Sequence, residues 1–587
     1  MITGIFLVLF SWIILFFIFL ILGYPAAYFL RKKQRGFRTL RSGTWLGLLI
    51  GIILILVIGI FVPLRSGTAA IVFALFTALS AIMTLVIVVK SQRPRTVTIH
   101  RQLAQWILLG SLAVTVIYLA AAALGPVTNY DSGLYHLGAI KYAGDFATIP
   151  GLSNLYFPFG YNTSLYPLGA FLGNGPWTGS GYRLANGLIV FLLVMDLAFR
   201  LVGARKRFRG YSVGTYFLIL AVPTALIPLV SLSDYWVTSP SSDAAVFVIT
   251  LISTAYLLDA LTTKRNFIIN ASVSFTAAVI LFSLRPTMVV FLVVLTSVVI
   301  FRSIRLKVAK RDFVFLAVPA ALGLVLLAVQ SVRDYILSGW LQYPLSIFSF
   351  DVPWKSSDPV WNREPTLGNA RNPADIWGSV DGFDWLGPYL SRLPSQWESY
   401  LVIVLAAGCL LAFGLVLKLR LHIKWRTLAL AEIPLFASIT AWFLFTPPTF
   451  RFGWGPVFSF FLIFMAFTLR PLLAGQTNSG TVNTIRRSFL PAISVLLVVI
   501  VGFNTSTRFQ DSAITEGSTW TLGPVDIPYS LAPVVQVPIR NQKLSSGLIV
   551  GSPTESDQCW DNYPLCSPIV PPSISLRGTS IQDGFLP

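Results

Sequence analysis

One octapeptide concentrates groups able to move a proton: Asn129-Tyr130-Asp131-Ser132-Gly133-Leu134-Tyr135-His136. It follows directly on an apolar run. A carboxylate can act as a base, and an imidazole changes charge near neutral pH. Five residues apart at a membrane surface, Asp131 and His136 are the residues that a reaction centre would use first. The weight of that reading rests on which side of the membrane the octapeptide faces.

Only 11% of the 587 residues are charged and 55% are hydrophobic, against about 25% charged in soluble domains. Apolar runs near or above the roughly 18 residues that mark a span recur along the whole chain. The fold class expected is an all-α polytopic membrane protein. About fourteen helices are predicted by the length needed to cross a bilayer. They cover 5–29, 45–62, 68–89, 104–123, 182–202, 211–231, 244–261, 267–284, 287–301, 313–330, 400–417, 427–445, 452–469 and 489–501. The ninth and the last are the shortest. The pair flanking Arg285-Pro286 also reads as one helix broken at proline. The first run is too long for a cleaved signal peptide and carries its basic residues after it.

Alternate connecting segments are short and basic, as cytoplasmic loops are. On this topology 29 of the 43 Lys and Arg lie in or beside cytoplasmic loops, and 19 of the 23 Asp and Glu lie on the other side. Both termini and Asp131 are then expected outside. Of the histidines His100, His136 and His422, only His136 is outside. The net charge of +20 is accounted for by anionic lipid on the inner leaflet and calls for no nucleic-acid partner. Cys559 and Cys566, flanking a short Asn- and Pro-containing stretch, are expected to form a disulfide in an oxidising compartment. The alternative is two unpaired thiols. No further Cys or His lies near them to complete a metal site.

The chain divides into an N-terminal three-helix membrane extension (1–103), a membrane core (104–503) with long outer loops at 124–181 and 331–399, and a small outer C-terminal tail (504–587). Within the first loop, Leu134, Leu137, Ala139, Ile140, Ala143 and Phe146 are spaced for a short amphipathic helix lying on the membrane. Ser132 could cap it, and Asp131 itself could be merely a cap. The stretch 164–172 is too short to cross and is expected to dip into the surface or pack on the bundle.

An Asp just after a transmembrane helix, followed by surface helices in the first large outer loop, resembles GT-C membrane glycosyltransferases. More specifically, the chain resembles a bacterial membrane-protein family related to GT-C enzymes. The resemblance is carried by Asp131 to His136, Pro150-Gly151-Leu152-Ser153-Asn154-Leu155 and Asn162-Thr163-Ser164. It continues through Ser239-Pro240-Ser241-Ser242-Asp243, Gly339-Trp340-Leu341-Gln342-Tyr343-Pro344 and Arg451-Phe452-Gly453-Trp454-Gly455. It ends with Asp557-Gln558-Cys559-Trp560-Asp561 and Arg577-Gly578 leading to Asp583-Gly584-Phe585. It implies a GT-C-like fold in a bacterial cytoplasmic membrane. The implied reaction transfers a sugar from a polyprenyl-phosphate sugar to a glycan, lipid or protein acceptor outside the cytoplasm.

Such a transfer needs a base at the acceptor hydroxyl, the role expected of Asp131. It also needs cationic donors for the departing lipid phosphate. The outer candidates for substrate contact are Tyr135, His136, Lys141, Arg183, Arg285, Arg333 and Arg451. Asp243 either holds the acceptor or a divalent cation, or simply sits where a helix N-terminus favours a carboxylate. Arg451 and Arg285 either bind phosphate or snorkel. The rival readings are a lipid-linked sugar flippase or other transporter, a glycan polymerase or ligase, and a noncatalytic assembly protein. Transporters place ionisable groups near the membrane midplane, whereas Asp196, Asp259 and Glu432 all lie toward cytoplasmic ends here.

Overall fold

The computed structural model describes residues 1–31, 36–90, 103–203, 211–231, 236–474, 480–507 and 511–587. Its helices are α1 (Ile2–Leu30), α2 (Phe37–Phe61), α3 (Gly67–Lys90), α4 (Leu103–Ala122), α5 (Leu137–Asp145) and α6 (Leu165–Phe171). Next come α7 (Tyr182–Val202), α8 (Val213–Leu226), α9 (Ser242–Thr262), α10 (Phe267–Leu284), α11 (Val289–Arg305) and α12 (Lys310–Ser338). The rest are α13 (Val360–Arg371), α14 (Leu386–Arg392), α15 (Trp397–Lys418), α16 (Trp425–Phe445), α17 (Phe450–Ala474) and α18 (Gly480–Thr507).

Among the described residues, thirteen helices are long and apolar enough to cross a membrane, and Val213–Leu229 is a shorter apolar helix. The expected ninth and last spans are full length, as Pro286–Arg305 and Val482–Thr507. The sixth is the one that falls short, interrupted by Pro223 and by a π turn containing Pro228. At Arg285-Pro286 the chain forms two helices rather than one kinked span. Proline forces the preceding residue out of the helical region, and Arg285 is extended (φ −153°, ψ 113°).

Helix α9 is buried along its length by α7, α8, α10, α16 and α17, with its two carboxylates, Asp243 and Asp259, near its ends. Outer helices instead expose large apolar side chains, such as Ile71, Leu75, Leu79, Leu410, Leu411 and Phe436. An exposed apolar belt of this extent is a lipid-facing surface. Within residues 1–103, α1 and α2 are built into the core, with α2 packing on α7, α10 and α12, whereas α3 is peripheral. The α1–α2 contact depends on glycine. A Cβ on Gly23 would lie 2.0 Å from the Gly43 carbonyl oxygen, and one on Gly47 would lie 1.7 Å from that of Phe19. Small residues allow this backbone approach between membrane helices.

The three long segments converge on one end of the bundle. Ala532 N–H donates to Leu124 O (2.8 Å), Gly151 N–H to Ile336 O (2.9 Å), and Trp560 N–H to Gly133 O (2.8 Å). The described tail beyond α18 has no α-helix, only two short 3-10 turns at Asp511–Ala513 and Ile581–Asp583. It carries three antiparallel hairpins: β1 (Glu516–Leu522) with β2 (Val525–Leu531), β3 (Ile539–Lys543) with β4 (Ile549–Pro553), and β5 (Ser575–Leu576) with β6 (Phe585–Leu586).

The other end is fastened by buried charge. Arg200 pairs with Asp196 (2.5 Å) and Asp259 (2.6 Å), and Arg41 lies 3.8 Å from Asp259. The Trp45 indole and Tyr256 hydroxyl donate to Asp196 at 2.9 and 2.7 Å. Two cations and two anions cancel, and the set ties α2, α7 and α9 together. Removing one partner leaves an uncompensated buried charge, which costs about 3–5 kcal/mol. R200M is therefore expected to lower the melting temperature in detergent strongly. Adding D259N should recover part of the loss; equal or greater loss in the double variant would contradict the charge balance.

Candidate functional site

At the converging end, four side chains form a chain of alternating charge. Arg451 Nη2 lies 2.9 Å from Asp131 Oδ2, and Arg451 Nε lies 3.8 Å from Asp243 Oδ2. Asp243 Oδ1 pairs in turn with Arg285 Nη2. The Phe452 ring supports both guanidinium groups, at 4.5 Å for Arg285 and 5.0 Å for Arg451. Asp243 and the Arg285 side chain are largely shielded, while Arg451 and Asp131 are partly open to solvent.

Each member is held by a local break in regular structure. Asp243 lies in the first turn of α9, where the helix dipole favours a carboxylate. Ser241 caps that helix, accepting from Asp243 N–H (3.3 Å) and donating its hydroxyl to Asp243 Oδ2 (2.9 Å). Asn186 fixes the approach to the cap by donating to the carbonyls of Trp236, Ser239 and Ser241. Arg285 stands at the break between α10 and α11. Arg451 lies in the first turn of α17, just after Pro447-Pro448, a poor place for a cation next to a helix dipole. The two carboxylates offset that cost.

Asp131 makes no side-chain capping bond. Its carboxylate is directed at Arg451, so the cap alternative does not hold. The following turn, Ser132–His136, is a wide π turn rather than the start of a regular helix. Such turns are frequent at functional sites. Ser132 does not cap either. Its hydroxyl meets Ser239 Oγ (2.9 Å) and His136 Nδ1 (3.3 Å). Helix α5 does not lie exposed on the membrane, since Leu137, Ala139, Ile140 and Tyr142 are buried against α6 and the tail. The stretch 164–172 packs on the bundle as α6, with every residue buried.

His136 is buried behind Asp131 and does not pair with it. Its ring packs on Tyr135 (4.5 Å) and Tyr166 (5.6 Å), and Tyr135 also meets Tyr161 (5.7 Å). Burial pushes the imidazole down to about 4, despite the opposing pull of Asp131. Three further expected contacts fall elsewhere. Lys141 pairs with Asp561 of the tail and lies 5.8 Å over Tyr563, away from Asp131. Arg183, fully buried, donates to the carbonyls of Gly125 and Ala532 and straps the tail to the first loop. Arg333 donates to Asn162 Oδ1 (3.1 Å) and Thr148 Oγ1 (2.7 Å). It borders a separate cavity of about 30 Å³ with Tyr142, Phe159, Tyr161 and Tyr166, room for one or two waters.

A divalent cation does not fit at Asp243. Its two oxygens are engaged by Arg285 and Ser241, and the neighbouring Arg451 would repel such an ion.

The sequence reading missed the part played by the tail. Cys559 and Cys566 form a disulfide (S–S 2.04 Å), and their loop grips the Asp131 segment from both sides. Gln558 donates to Tyr130 O (2.7 Å), Tyr130 hydroxyl to Asp557, and Leu565 N–H to the Tyr142 hydroxyl (3.1 Å). The Trp560 indole fills the space over Gly133, where a Cβ would come within 2.4 Å of the ring. The match of Asp557 to Asp561 with the resembled family was the only signal pointing there.

Fold and site together define a polytopic all-α membrane protein with its long connecting segments and tail gathered at one end. Residues 5–458 match the model of a domain of unknown function (DUF8201), and the chain belongs to that family. No curated protein and no solved structure matches it.

Two outcomes follow. G133V should displace Trp560 and raise hydrogen exchange in residues 129–136; unchanged exchange would contradict the clamp. A buried neutral histidine stabilises the fold fully above pH about 6.5, and that share is lost as pH falls toward 4, about 3 kcal/mol in all. The acid-induced loss of stability should be shallower in H136Q by that amount, measured by denaturation of both proteins across pH 4–7.

Proposed function

We propose that the protein is a GT-C-like glycosyltransferase, with Asp131 as the general base and Arg451 and Arg285 as the phosphate-binding pair. The donor is a polyprenyl-phosphate sugar, and the acceptor is a hydroxyl of a glycan, lipid or protein. The single observation that carries this reading is the Asp131–Arg451–Asp243–Arg285 chain at the bundle end. There a partly exposed carboxylate adjoins guanidinium groups with donors to spare. Arg285 Nη1 is buried without a hydrogen-bond acceptor among the described residues, and Arg451 beside it is partly open to solvent.

The reaction assigns each group a task. The donor phosphate draws Arg451 off Asp131 and frees the carboxylate. Asp131 takes the acceptor proton as the hydroxyl oxygen attacks the anomeric carbon. The bond from that carbon to the phosphate oxygen breaks, and the lipid phosphate departs with the electron pair, its charge met by Arg451 and Arg285. A carboxylate is a weak base, so proton transfer comes late and positioning matters more than basicity. His136, neutral and turned away, is a packing residue in this scheme. Asp243 holds the two arginines apart and in place.

The test is D131N in the native host at normal expression, with surface glycans and lipid-linked intermediates profiled together. Loss of a general base lowers turnover by about 10²–10⁴-fold, and loss of an electrostatic stabiliser such as R451Q by about 10²–10³-fold. The expected result is loss of one glycan while its lipid-linked donor accumulates on the Asp131 side, within reach of a membrane-impermeant oxidant. Accumulation on the opposite side would indicate a flippase, and an unchanged profile would remove Asp131 from the chemistry.

A further inference from the structure

The segment after α12 carries an uncharged, largely apolar tip, Leu341-Gln342-Tyr343-Pro344-Leu345-Ser346-Ile347-Phe348-Ser349-Phe350. It is a closed loop rather than a loose one. Leu341 N–H donates to Phe348 O and Phe350 N–H to Gly339 O, both at 2.9 Å, and Trp340 bridges Ser349. Yet its apolar tip faces outward: Ile347 is 42% exposed, Phe348 73% and Phe350 43%. Phe348 also takes a left-handed backbone conformation (φ 50°), which bulky residues rarely adopt.

What covers this tip is indicated by the helix beneath it. Where its side chains are described, the exposed residues of α12 are Ala317, Val318, Ala321, Leu324, Val325, Ala328 and Val332. They lie at helical three- and four-residue spacing, so they form one stripe, and it is wholly apolar. The next position on the stripe is Tyr335, and the Phe350 ring packs on Tyr335 at 5.1 Å. The exposed tip therefore prolongs the lipid-facing stripe past the end of its helix; Asp351 follows it directly, and Asp358 accepts from Ser346 Oγ (2.5 Å).

We infer that residues 345–350 are a membrane-seated loop, with Ile347 and Phe348 in the leaflet on the Asp131 side. Apolar side chains on a polar framework settle about 5–10 Å into the headgroup–acyl boundary. The loop is rooted in the site region. Tyr343 packs on Tyr161 at 6.1 Å, its hydroxyl donates to Phe157 O (3.1 Å), and Tyr161 meets Tyr135, four positions from Asp131. Seating the tip thus fixes the height of the tyrosine wall beside Asp131 relative to the lipid headgroups. The inference stands whether or not the transfer reading holds.

The experiment places an environment-sensitive fluorophore on F348C in the full-length C409A protein, in nanodiscs. The Cys559–Cys566 pair stays bonded and unlabelled. L324C on the same stripe and T521C on the exposed face of β1 are the lipid and water references, and all variants are checked for monodispersity. The expected result is quenching of F348C by lipids carrying a shallow nitroxide, less by a deep one, and shielding from aqueous iodide. Iodide quenching equal to that of T521C, with no lipid quenching, would overturn the inference. Protection from both quenchers would overturn it too, since protein rather than lipid would then cover the tip.

Discussion

Everything at the polar end of this bundle depends on one buried carboxylate. Asp243 holds Arg285 by direct pairing and Arg451 at 3.8 Å, and without it two guanidinium groups would share one apolar corner around Phe452. Mutual repulsion and the helix dipole of α17 would push Arg451 outward, and Asp131 would lose its partner. The α9 cap, the break at Pro286 and the Pro447-Pro448 turn are each local backbone events. They matter jointly because they deliver three charged side chains to the same point. Charge is balanced there, two against two, and again at the far end by Arg41, Arg200, Asp196 and Asp259.

The two balanced clusters differ in what they leave open. At the far end the Arg200 and Asp196 side chains are almost wholly out of solvent, a geometry that locks helices together. Near Asp131 the pair remains reachable, and Arg285 keeps an unmatched donor. Among the described residues Arg200 and Arg41 carry unmatched donors as well, so the difference is exposure: full burial gives cohesion, whereas partial exposure gives a place where an anion can enter. That contrast separates a structural ion cluster from a candidate site in one and the same molecule.

Much of this is legible in the amino-acid sequence. Runs of apolar residues located the spans, because a bilayer demands a fixed length of helix. Asp131 stood out because a carboxylate at a membrane surface has few bland uses. Of the outer cations expected at the site, Arg451 and Arg285 are there, but Lys141 is not, because sequence proximity misleads for charges. Lys141, ten positions from Asp131, is captured by Asp561, while Arg451, hundreds of positions away, is the partner that reaches it. The π turn at Ser132–His136 also shifts every facing inferred from a regular 3.6-residue helix. The hairpins of the tail escaped notice because their strands are short and interrupted by residues such as Pro528, which blur the alternation that reveals a strand.

The grip of residues 557–566 on the Asp131 segment has a consequence for the order of events in making the protein. The ribosome delivers Tyr130 long before Asp557, 427 positions later, and every membrane helix described lies between the two or before them. The Asp131 turn must therefore wait, loosely held, while the whole bundle is threaded. It gains its final shape only when the tail has reached the same side and its cysteines have joined. Maturation of this centre consequently follows the threading of the described spans rather than preceding it. A nascent or misrouted chain would carry all of its spans and still lack a finished centre.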